Sequence, residues 1–474
     1  MVSGSLDRDR TFELKLLQLV CDALLIPRNC RRHILGNRSC EKAGGRLNNV
    51  TNQGSRTRSE GGQCRGRRES GFVLIVTSLA IIMLLGFLGM AIDVGFLQFQ
   101  KRRIQSAADG AAQGGAFEVM AHSPDATIVS AAKHDSGKNG FTDGADGVTV
   151  TVNYPPTRGF YAGKNNAVET IVTRNNPTYF MGLLGPSSAP VSARSVARAT
   201  SSPNCIYVLD PAASSALFAT GNGTATVQCG IVVDSSNSSA ATANGNACIT
   251  ATAITIVGNY GGHSNGCGFQ PAPVTGAPFV PDPLSYLTAP TIGPCDQTNY
   301  AVSGGIVTLN PGVYCGGIAV SGASTVVYLN PGTYVLNGGG LVVSGQANII
   351  GTGVTFYNTG DASHIYAPIS MTGGSITSLI APVSGAYEGI LFFQDRSVSS
   401  TATNLISGGS LSIYTGALYF PTTPLSYAGN SLQNGGYTLI VAQTLTFAGI
   451  SAMSADYSTL PDGSPIKGGV AFGE

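Results

Sequence analysis

The sequence contains no tryptophan and few charges, since Asp, Glu, Lys and Arg make up 11% of its 474 residues. Basic residues almost vanish after residue 204, where Arg396 and Lys467 stand against ten acidic residues, a formal charge of −8. Nucleic-acid binding needs clustered Lys and Arg to neutralise phosphates. The C-terminal part is therefore not predicted to bind nucleic acid.

Recognisable catalytic and metal-binding patterns are also missing from the sequence. It has no phosphate loop, no dinucleotide fingerprint, no nucleophile elbow and no Cys-x-x-Cys spacing. The five histidines are scattered along the chain and form no ligand pair. We therefore predict no catalytic residue, no metal ion and no cofactor.

Cysteines are present in the C-terminal part, and their even number without zinc-type spacing predicts disulfides in an oxidising compartment. The candidates are Cys205, Cys229, Cys248, Cys267, Cys295 and Cys315. The similar intervals between the first four suggest that they recur at similar places on successive turns of a coil. Stacked neighbours such as Cys229 and Cys248 then either bond or pack as small buried groups.

The longest hydrophobic run extends from Gly71 to Ile92 and contains 22 residues without a charge. At about 1.5 Å per residue, such a helix spans the hydrocarbon core of about 30 Å. The run is longer than that of a cleaved secretory signal, so we predict an uncleaved, single-pass transmembrane helix. More basic residues precede the helix than follow it, which predicts a cytoplasmic N-terminus and an extracytoplasmic C-terminal region.

The segments on either side of this run leave alternatives open. Residues 1–69 are rich in Arg, with one helical pattern at Thr11–Ile26. We interpret them as a disordered basic tail, with a mis-assigned start of translation as the alternative. Residues 70–121 are expected to form one helix with a stalk. Small residues spaced four apart in the stalk, such as Ala107 and Ala111, allow close approach of either a second helix or the chain's own following domain.

The stretch from Arg67 to Ala116 resembles the N-terminal module of TadE/TadG-like putative Flp pilus-assembly proteins. An A-x-D-V-G sequence and a Q-x-A-A-D-x-A-A sequence carry the resemblance after the apolar helix. The matching residues include Asp93, Gly95, Gln105, Ala108, Asp109 and Ala112. The resemblance implies anchoring in a bacterial inner membrane and assembly with other Tad components of a surface pilus or related apparatus. We do not predict the von Willebrand A-like domain that many TadG-type relatives carry.

Residues 122–203 are predicted to form a small α/β segment. A helix is expected from Asp125 to Lys138, with Ser123 as its N-cap. Strands are expected near residues 147–153, 168–174 and 190–199, with a short helix after Pro177.

Residues 204–474 are distinguished by repetition. LNPGVY at Leu309–Tyr314 recurs as LNPGTY at Leu329–Tyr334, 20 residues later. A Pro-Gly pair fits a type II turn, so the predicted turn residues are Pro311, Gly312, Pro331 and Gly332. Short strands separated by glycine turns at this period predict a mainly β domain, a right-handed parallel β-helix, with a β-sandwich as the alternative. The Pro-rich segment Pro271–Pro294 is expected to interrupt the coil as a surface excursion.

Two functions follow from this fold. The first is a structural or assembly protein whose β-helix is a scaffold or adhesive surface. The alternative is an anchored protein that binds or cleaves surface polysaccharide, with Asp361 and Asp395 as a carboxylate pair. Glu388, Arg396 and His364 are the remaining candidates for that site. Ser, Thr, Asn and Gly dominate this part of the sequence, which favours the scaffold.

Overall fold

A computed structural model describes residues 70–474, apart from residues 184, 263–264, 373, 375, 409–411 and 430–435. The predicted N-terminal tail and its helical pattern lie outside the described residues. From Leu74 to Glu474 the chain forms one compact unit. Its described part contains two α-helices, a small antiparallel sheet and a long series of parallel strands.

Helix α1 extends without interruption from Ser70 to Met120. Its apolar part is open to the surroundings, with Leu84 at 66% and Phe87 at 64% exposure. Among the described helices, α1 alone is long and apolar enough to cross a membrane, with a mean hydropathy of 2.5 in its most apolar window. Gly71 and Ile92, the predicted membrane boundaries, both lie within it, so the predicted membrane segment and the predicted stalk form one continuous helix.

Helix α2 extends from Asp125 to Lys138, as the sequence predicted. Its N-terminus differs from the prediction, because the N-cap is Pro124 and no side chain caps the helix. The Ser123 hydroxyl donates instead to the Glu118 carboxylate at 2.6 Å. The prediction that Ser123 caps α2 is therefore wrong, since a carboxylate at the end of α1 competes for its hydroxyl.

The small sheet consists of β1 (Val148–Asn153), β2 (Ala167–Pro177) and β3 (Ser188–Ser201), paired antiparallel with β2 in the middle. A single 3₁₀ turn, Met181–Leu183, lies between β2 and β3. The last strand of the chain, β27 (Lys467–Phe472), pairs antiparallel with the other edge of β3. The end of the sequence thus returns to the sheet that precedes the parallel strands.

Two groups of short strands make the C-terminal region mainly β. The first group is β4 (Asn204–Val208), β5 (Leu217–Ala219), β6 (Thr224–Val227), β7 (Gly230–Val233), β8 (Ala241–Ala243), β9 (Cys248–Thr250), β10 (Ala253–Ile256), β11 (Tyr260–Gly261), β12 (Gly268–Gln270) and β13 (Val274–Thr275). The second group is β14 (Gln297–Leu309), β15 (Gly312–Leu329), β16 (Gly332–Asn337), β17 (Leu341–Val343), β18 (Asn348–Thr352), β19 (Val354–Thr359), β20 (Ser370–Met371), β21 (Thr377–Ile380), β22 (Ile390–Gln394), β23 (Asn404–Gly408), β24 (Ile413–Gly429), β25 (Thr438–Phe447) and β26 (Ile450–Met453). We call residues 204–453 the parallel region.

Strand pairing in the parallel region is parallel throughout its described strands. Equivalent positions of successive strands therefore lie over one another, as Tyr334 lies over Phe356 and Phe356 over Phe392. Their ring centroids are 5.4 Å apart in both cases. The repeated aromatic positions of the sequence thus form a buried column.

Spatial order differs from chain order in the parallel region. One series of pairings runs β14, β15, β16, β19, β22, β24, β25, β4, β7, β10 and β13. The chain therefore enters this series at an inner position, β4, and not at an end. The late strand β25 pairs with β4, the first parallel strand of the chain. The consecutive strands β13 and β14 stand at the two ends of the series.

The Pro-rich segment connects these two ends. Ten strand spacings of about 4.8 Å amount to roughly 48 Å, which some twenty extended residues can span. Val280 bonds to Asp234, which follows β7, and Thr288 bonds to Tyr387, which precedes β22. Just after the segment, Asp296 bonds to Val313 in β15. The segment is anchored as well, because Leu284 and Leu287 are buried in the main core.

The repeat glycines differ from the predicted type II turns. Gly312 and Gly332 each begin a strand, with φ of 158° and 140°, rather than occupying a turn corner near 80°. A Cβ on Gly332 would lie 2.4 Å from Cγ of Pro311, and one on Gly312 would lie 2.6 Å from a carboxylate oxygen of Asp296. Glycine is thus required mainly by side chains just outside the neighbouring strands, Pro311 between β14 and β15 and Asp296 before β14. Pro331, in turn, lies close to Gly353.

Candidate functional site

The stalk of α1 packs directly on the small sheet. Ala108, Ala111 and Ala112 are completely buried, and the Thr170 hydroxyl of β2 donates to the carbonyl of Ala108 at 2.7 Å. Ala112 contacts Ala197 of β3 in a small apolar cluster. Of the two alternatives for the small residues, the chain's own following domain is the one observed. We call residues 70–201 with 467–474 the membrane-proximal module.

The resemblance residues at the helix exit hold a loop of the sheet. Asp93 is 1% exposed, and its carboxylate accepts backbone N–H groups of Tyr179 at 3.0 Å, Phe180 at 2.8 Å and Met181 at 2.6 Å. Gly95 differs, because no atom from outside its own stretch of helix lies within 4 Å of its Cβ position. Asp93 thus has a clear structural role, whereas nothing in the structure explains Gly95.

Further along α1, Gln105 connects helix and sheet. Its side-chain amide donates to Asp109 at 2.8 Å and to the carbonyl of Arg194 in β3 at 3.2 Å. Lys101 likewise donates to the carbonyl of Ser192. The Q-x-A-A-D sequence therefore supplies both the polar contact and the small buried residues that fix the helix on the sheet.

A buried carboxylate, not predicted from the sequence, organises the other face of the sheet. The Glu169 side chain is completely buried and accepts hydrogen bonds from Asn153 at 2.8 Å, from Thr157, from Arg158 at 3.2 Å and from Arg194. Burial raises the pKa of Glu169, but these hydrogen bonds outweigh it and hold the pKa at about 2. The one sequence signal was an acid within the apolar run Ala167–Val172.

The C-terminal residue joins this cluster. Arg194 pairs with the Glu474 carboxylate at 2.5 Å, and the backbone N–H of Phe160 donates to the other carboxylate oxygen at 2.5 Å. Strand β27 and Glu474 therefore close the module after the parallel region has been completed. The parallel region is attached at both its entry, after β3, and its exit, before β27.

A cleft of about 280 Å³ lies where the end of α1, the Pro-rich segment and the last residues meet. His122 stacks on Tyr286 with ring centroids 3.4 Å apart, and Lys467 donates to the carbonyl of Asp462 at 2.7 Å. Burial lowers the pKa of Lys467 to about 8, and burial followed by the negative charge of Asp462 raises the pKa of Glu388. The His122–Tyr286 stacking and the hydrogen bond from the Tyr286 hydroxyl to the carbonyl of Pro465, at 3.1 Å, join three chain segments, which suits a structural joint.

The two acidic candidates for polysaccharide cleavage, Asp361 and Asp395, accept hydrogen bonds from neighbouring strands. The Asp361 carboxylate accepts the Asn337 amide at 2.8 Å, and the Asp395 carboxylate accepts the Thr359 hydroxyl at 2.7 Å. Asn337 and Thr359 end the neighbouring paired strands β16 and β19. The two acids therefore make equivalent contacts between successive strands.

The remaining candidates have different partners. Arg396 donates to the carbonyls of Leu284 and Leu287, and so fastens the Pro-rich segment. His364 contacts Asp361 at 3.3 Å. Glu388 lines the cleft described above.

Disulfides join strands that are neighbours in the parallel region. The pairs are Cys205 with Cys229, Cys248 with Cys267, and Cys295 with Cys315. The prediction of disulfides is confirmed, but Cys229 and Cys248 do not bond to one another, because each has a different neighbour. His364 lies near Cys295 and Cys315 with ligand-type atoms within 4.8 Å, yet both sulfurs are used in the disulfide.

A D-x-S-x-S sequence, the cation-binding pattern of von Willebrand A-like domains, is present at Asp234–Ser238, although no such domain was predicted. Asp234 follows β7 and accepts the backbone N–H of Val280 at 3.0 Å. The hydroxyl of Ser236 donates to the carbonyl of Pro211 at 2.9 Å. Here the pattern fastens the Pro-rich segment and a neighbouring turn.

Comparison with known families agrees with the resemblance. Residues 71–118 match the putative Flp pilus-assembly TadE/G-like family, and residues 106–197 match a putative Tad-like Flp pilus-assembly family. These ranges cover α1, α2 and most of the antiparallel sheet. No match was found among curated proteins or among solved structures.

Proposed function

We propose that this chain is a membrane-anchored assembly protein of a Tad (Flp) pilus or a related surface apparatus. The observation that carries the proposal is the rigid attachment of an exposed apolar helix to a sheet through the matched residues Asp93, Gln105 and Ala108. Because of this attachment, the orientation of the membrane helix sets the orientation of the sheet and of the parallel region that the sheet carries. The pilus-assembly families matched over residues 71–197 support this role.

In this proposal α1 crosses the bacterial inner membrane once, with its N-terminus in the cytoplasm. The excess of basic residues before the apolar run favours that orientation. The three disulfides after the helix favour it too, because structural disulfides persist in oxidising compartments. Protease added to spheroplasts is expected to digest the region after residue 93, whereas complete protection would reverse the orientation.

The parallel region is, in our proposal, a parallel β-helix that serves as an extracytoplasmic scaffold or adhesive surface. Parallel pairing at each step, with stacked aromatic and Asn side chains, supports a coil rather than a sandwich of antiparallel sheets. The engagement of Asp361 and Asp395 in contacts between strands supports a scaffold rather than a polysaccharide-cleaving site.

A deletion strain complemented with variants tests the assembly role. Complementation with Asp93→Ala is expected to leave the protein in the membrane but to reduce surface pili, because the loop that the carboxylate holds is released. Asp146→Asn, an exposed change in the same module, is the control and should restore pili fully. Normal piliation in the deletion strain itself would refute the proposed function.

A further inference from the structure

The loop between β2 and β3 carries exposed apolar side chains beside the membrane helix. Tyr179 is 60%, Phe180 42% and Leu183 83% exposed. Hydrogen bonds between Thr178 and the carbonyls of Pro186 and Ser187 close the base of the loop. The sequence has no charged residue between Arg174 and Arg194, so no charge on this stretch opposes contact with an apolar phase.

This loop is fixed at a defined height on α1. The Asp93 carboxylate binds the three N–H groups of residues 179–181, and the ring of Phe96 packs edge-on against Tyr179 with centroids 5.8 Å apart. The Phe180 ring lies against Gly89, where an added Cβ would be 2.6 Å from ring atoms. Gly89 is therefore the position that lets the loop approach the helix.

The height coincides with the predicted membrane boundary. Gly89 precedes Ile92, the predicted end of the membrane segment, by three residues, about 4.5 Å along a helix. Phe180 is thus level with the edge of the hydrocarbon core, and Tyr179 with the region above it. Aromatic side chains favour this boundary, where an apolar ring and a polar group are both accommodated.

The same arrangement accounts for an acid at the membrane boundary. A carboxylate beside hydrocarbon is costly unless it is hydrogen-bonded. Asp93 meets this condition with N–H groups of the loop, while the loop directs its apolar side chains outward.

We propose that Tyr179, Phe180 and Leu183 insert into the interfacial region of the bilayer that α1 crosses, as a second membrane contact. This inference rests on the proposed membrane anchoring. The partner is a lipid surface, because the patch is continuous with the exposed apolar surface of α1 and lies at its exit. Two contacts fix the tilt and rotation of the helix, and so the direction in which the module holds the parallel region.

Single-tryptophan variants test this contact, since the chain contains no tryptophan. Leu183→Trp is reconstituted as the full chain in phosphatidylcholine vesicles with brominated acyl chains, and fluorescence quenching is measured. Bromines near the glycerol end should quench it more than bromines near the methyl end. Asp93→Ala in the same background should reduce the quenching, because the loop loses its attachment.

Two controls separate this inference from membrane anchoring itself. Leu84→Trp lies in the middle of the apolar run and should be quenched most by deep bromines. Phe160→Trp should stay unquenched, because Phe160 belongs to the Arg194 cluster, which lies level with Gln105, roughly 20 Å beyond Ile92 at 1.5 Å per residue.

The outcomes are distinct. Quenching of Leu84→Trp without quenching of Leu183→Trp would overturn the second contact and leave the anchor intact. That result is the one expected if the loop docks on a protein instead of on lipid. Absence of quenching at Leu84→Trp would overturn the anchoring and the inference together.

Discussion

The membrane-proximal module and the parallel region are stabilised in different ways. The module concentrates polar interactions at single points, chiefly Asp93 and the Glu169–Arg194 pair, each of which collects several hydrogen bonds. The parallel region spreads similar contacts over many strands, as in the Asn330–Asn310 hydrogen bond of 2.7 Å and the stacked aromatic column.

This difference has a consequence for mutation. A module built around single buried groups depends strongly on each of them, because a buried charge that loses its partner is costly. In a series of stacked strands, each strand contacts its neighbours, so one lost contact is a small part of the total. A single substitution should therefore lower the free energy of unfolding more in the module than in the parallel region.

The largest effect is expected from Glu169→Gln. The change leaves the Arg194 guanidinium with a weaker partner and should destabilise the module by about 3–5 kcal/mol, measured as the free energy of unfolding in urea. Asp146→Asn is the control: Asp146 is exposed with φ of 49°, a conformation that Asn tolerates. A loss no larger than that of the control would show that the module does not depend on this cluster.

The same pair predicts a pH dependence. Because the folded pKa of Glu169 is about 2 and the ordinary value is 4.5, the unfolded chain binds more protons between these values, and stability rises with pH there. The stabilisation is complete above about pH 4.5 and is lost as pH falls toward 2. The difference in stability between wild type and Glu169→Gln should shrink over that window, and a constant difference would contradict the assignment.

A smaller loss, about 3 kcal/mol, is expected from removal of one disulfide in the parallel region. The double change Cys248→Ser with Cys267→Ser removes a cross-link between residues 19 apart. Thermal unfolding under non-reducing conditions measures the loss. Under reducing conditions the variant and the wild type should converge, and persistence of the full difference would show that packing, not the cross-link, is responsible.

Gly332→Val should cost about 1–3 kcal/mol, since it combines strain with overpacking against Pro311. Gly293→Val is the matched control, because no atom lies within 4 Å of its Cβ position and its φ is ordinary for a side chain. Unfolding in urea compares the two. Equal losses would mean that β-branching alone, rather than the contact with Pro311, sets the cost.

The smallest effect is expected from Asp361→Asn combined with Asp395→Asn. The oxygen of each Asn still accepts the backbone N–H groups of its own turn, and the contacts that change are those to Asn337 and Thr359. The change in stability should be about 1 kcal/mol, and piliation should be unchanged. Loss of a measurable polysaccharide-cleaving activity in this double variant, with the fold preserved, would favour the enzyme over the scaffold.

The features that could be predicted from the sequence are those that depend on local patterns. The uncharged run to Ile92, the helix Asp125–Lys138 and the strand-rich C-terminal region follow from hydrophobic period and length. The contacts of Glu169 did not, because its partners Arg194 and Asn153 come from separate strands. The predictions of a Ser123 cap and of type II turns were wrong for a related reason: Glu118 competes for the Ser123 hydroxyl, and Pro311, 21 residues earlier in the chain, lies against Gly332.

The sequence by itself determined the apolar helix, the motif after it and the repeated strands, since each depends on residues close together along the chain. Only the tertiary structure decided that the small residues Ala108 and Ala112 face the chain's own sheet, that β4 pairs with β25, and that β27 closes the module. These outcomes depend on which distant surfaces meet. A periodic pattern specifies that strands stack on a neighbour, but it leaves open which neighbour each strand takes.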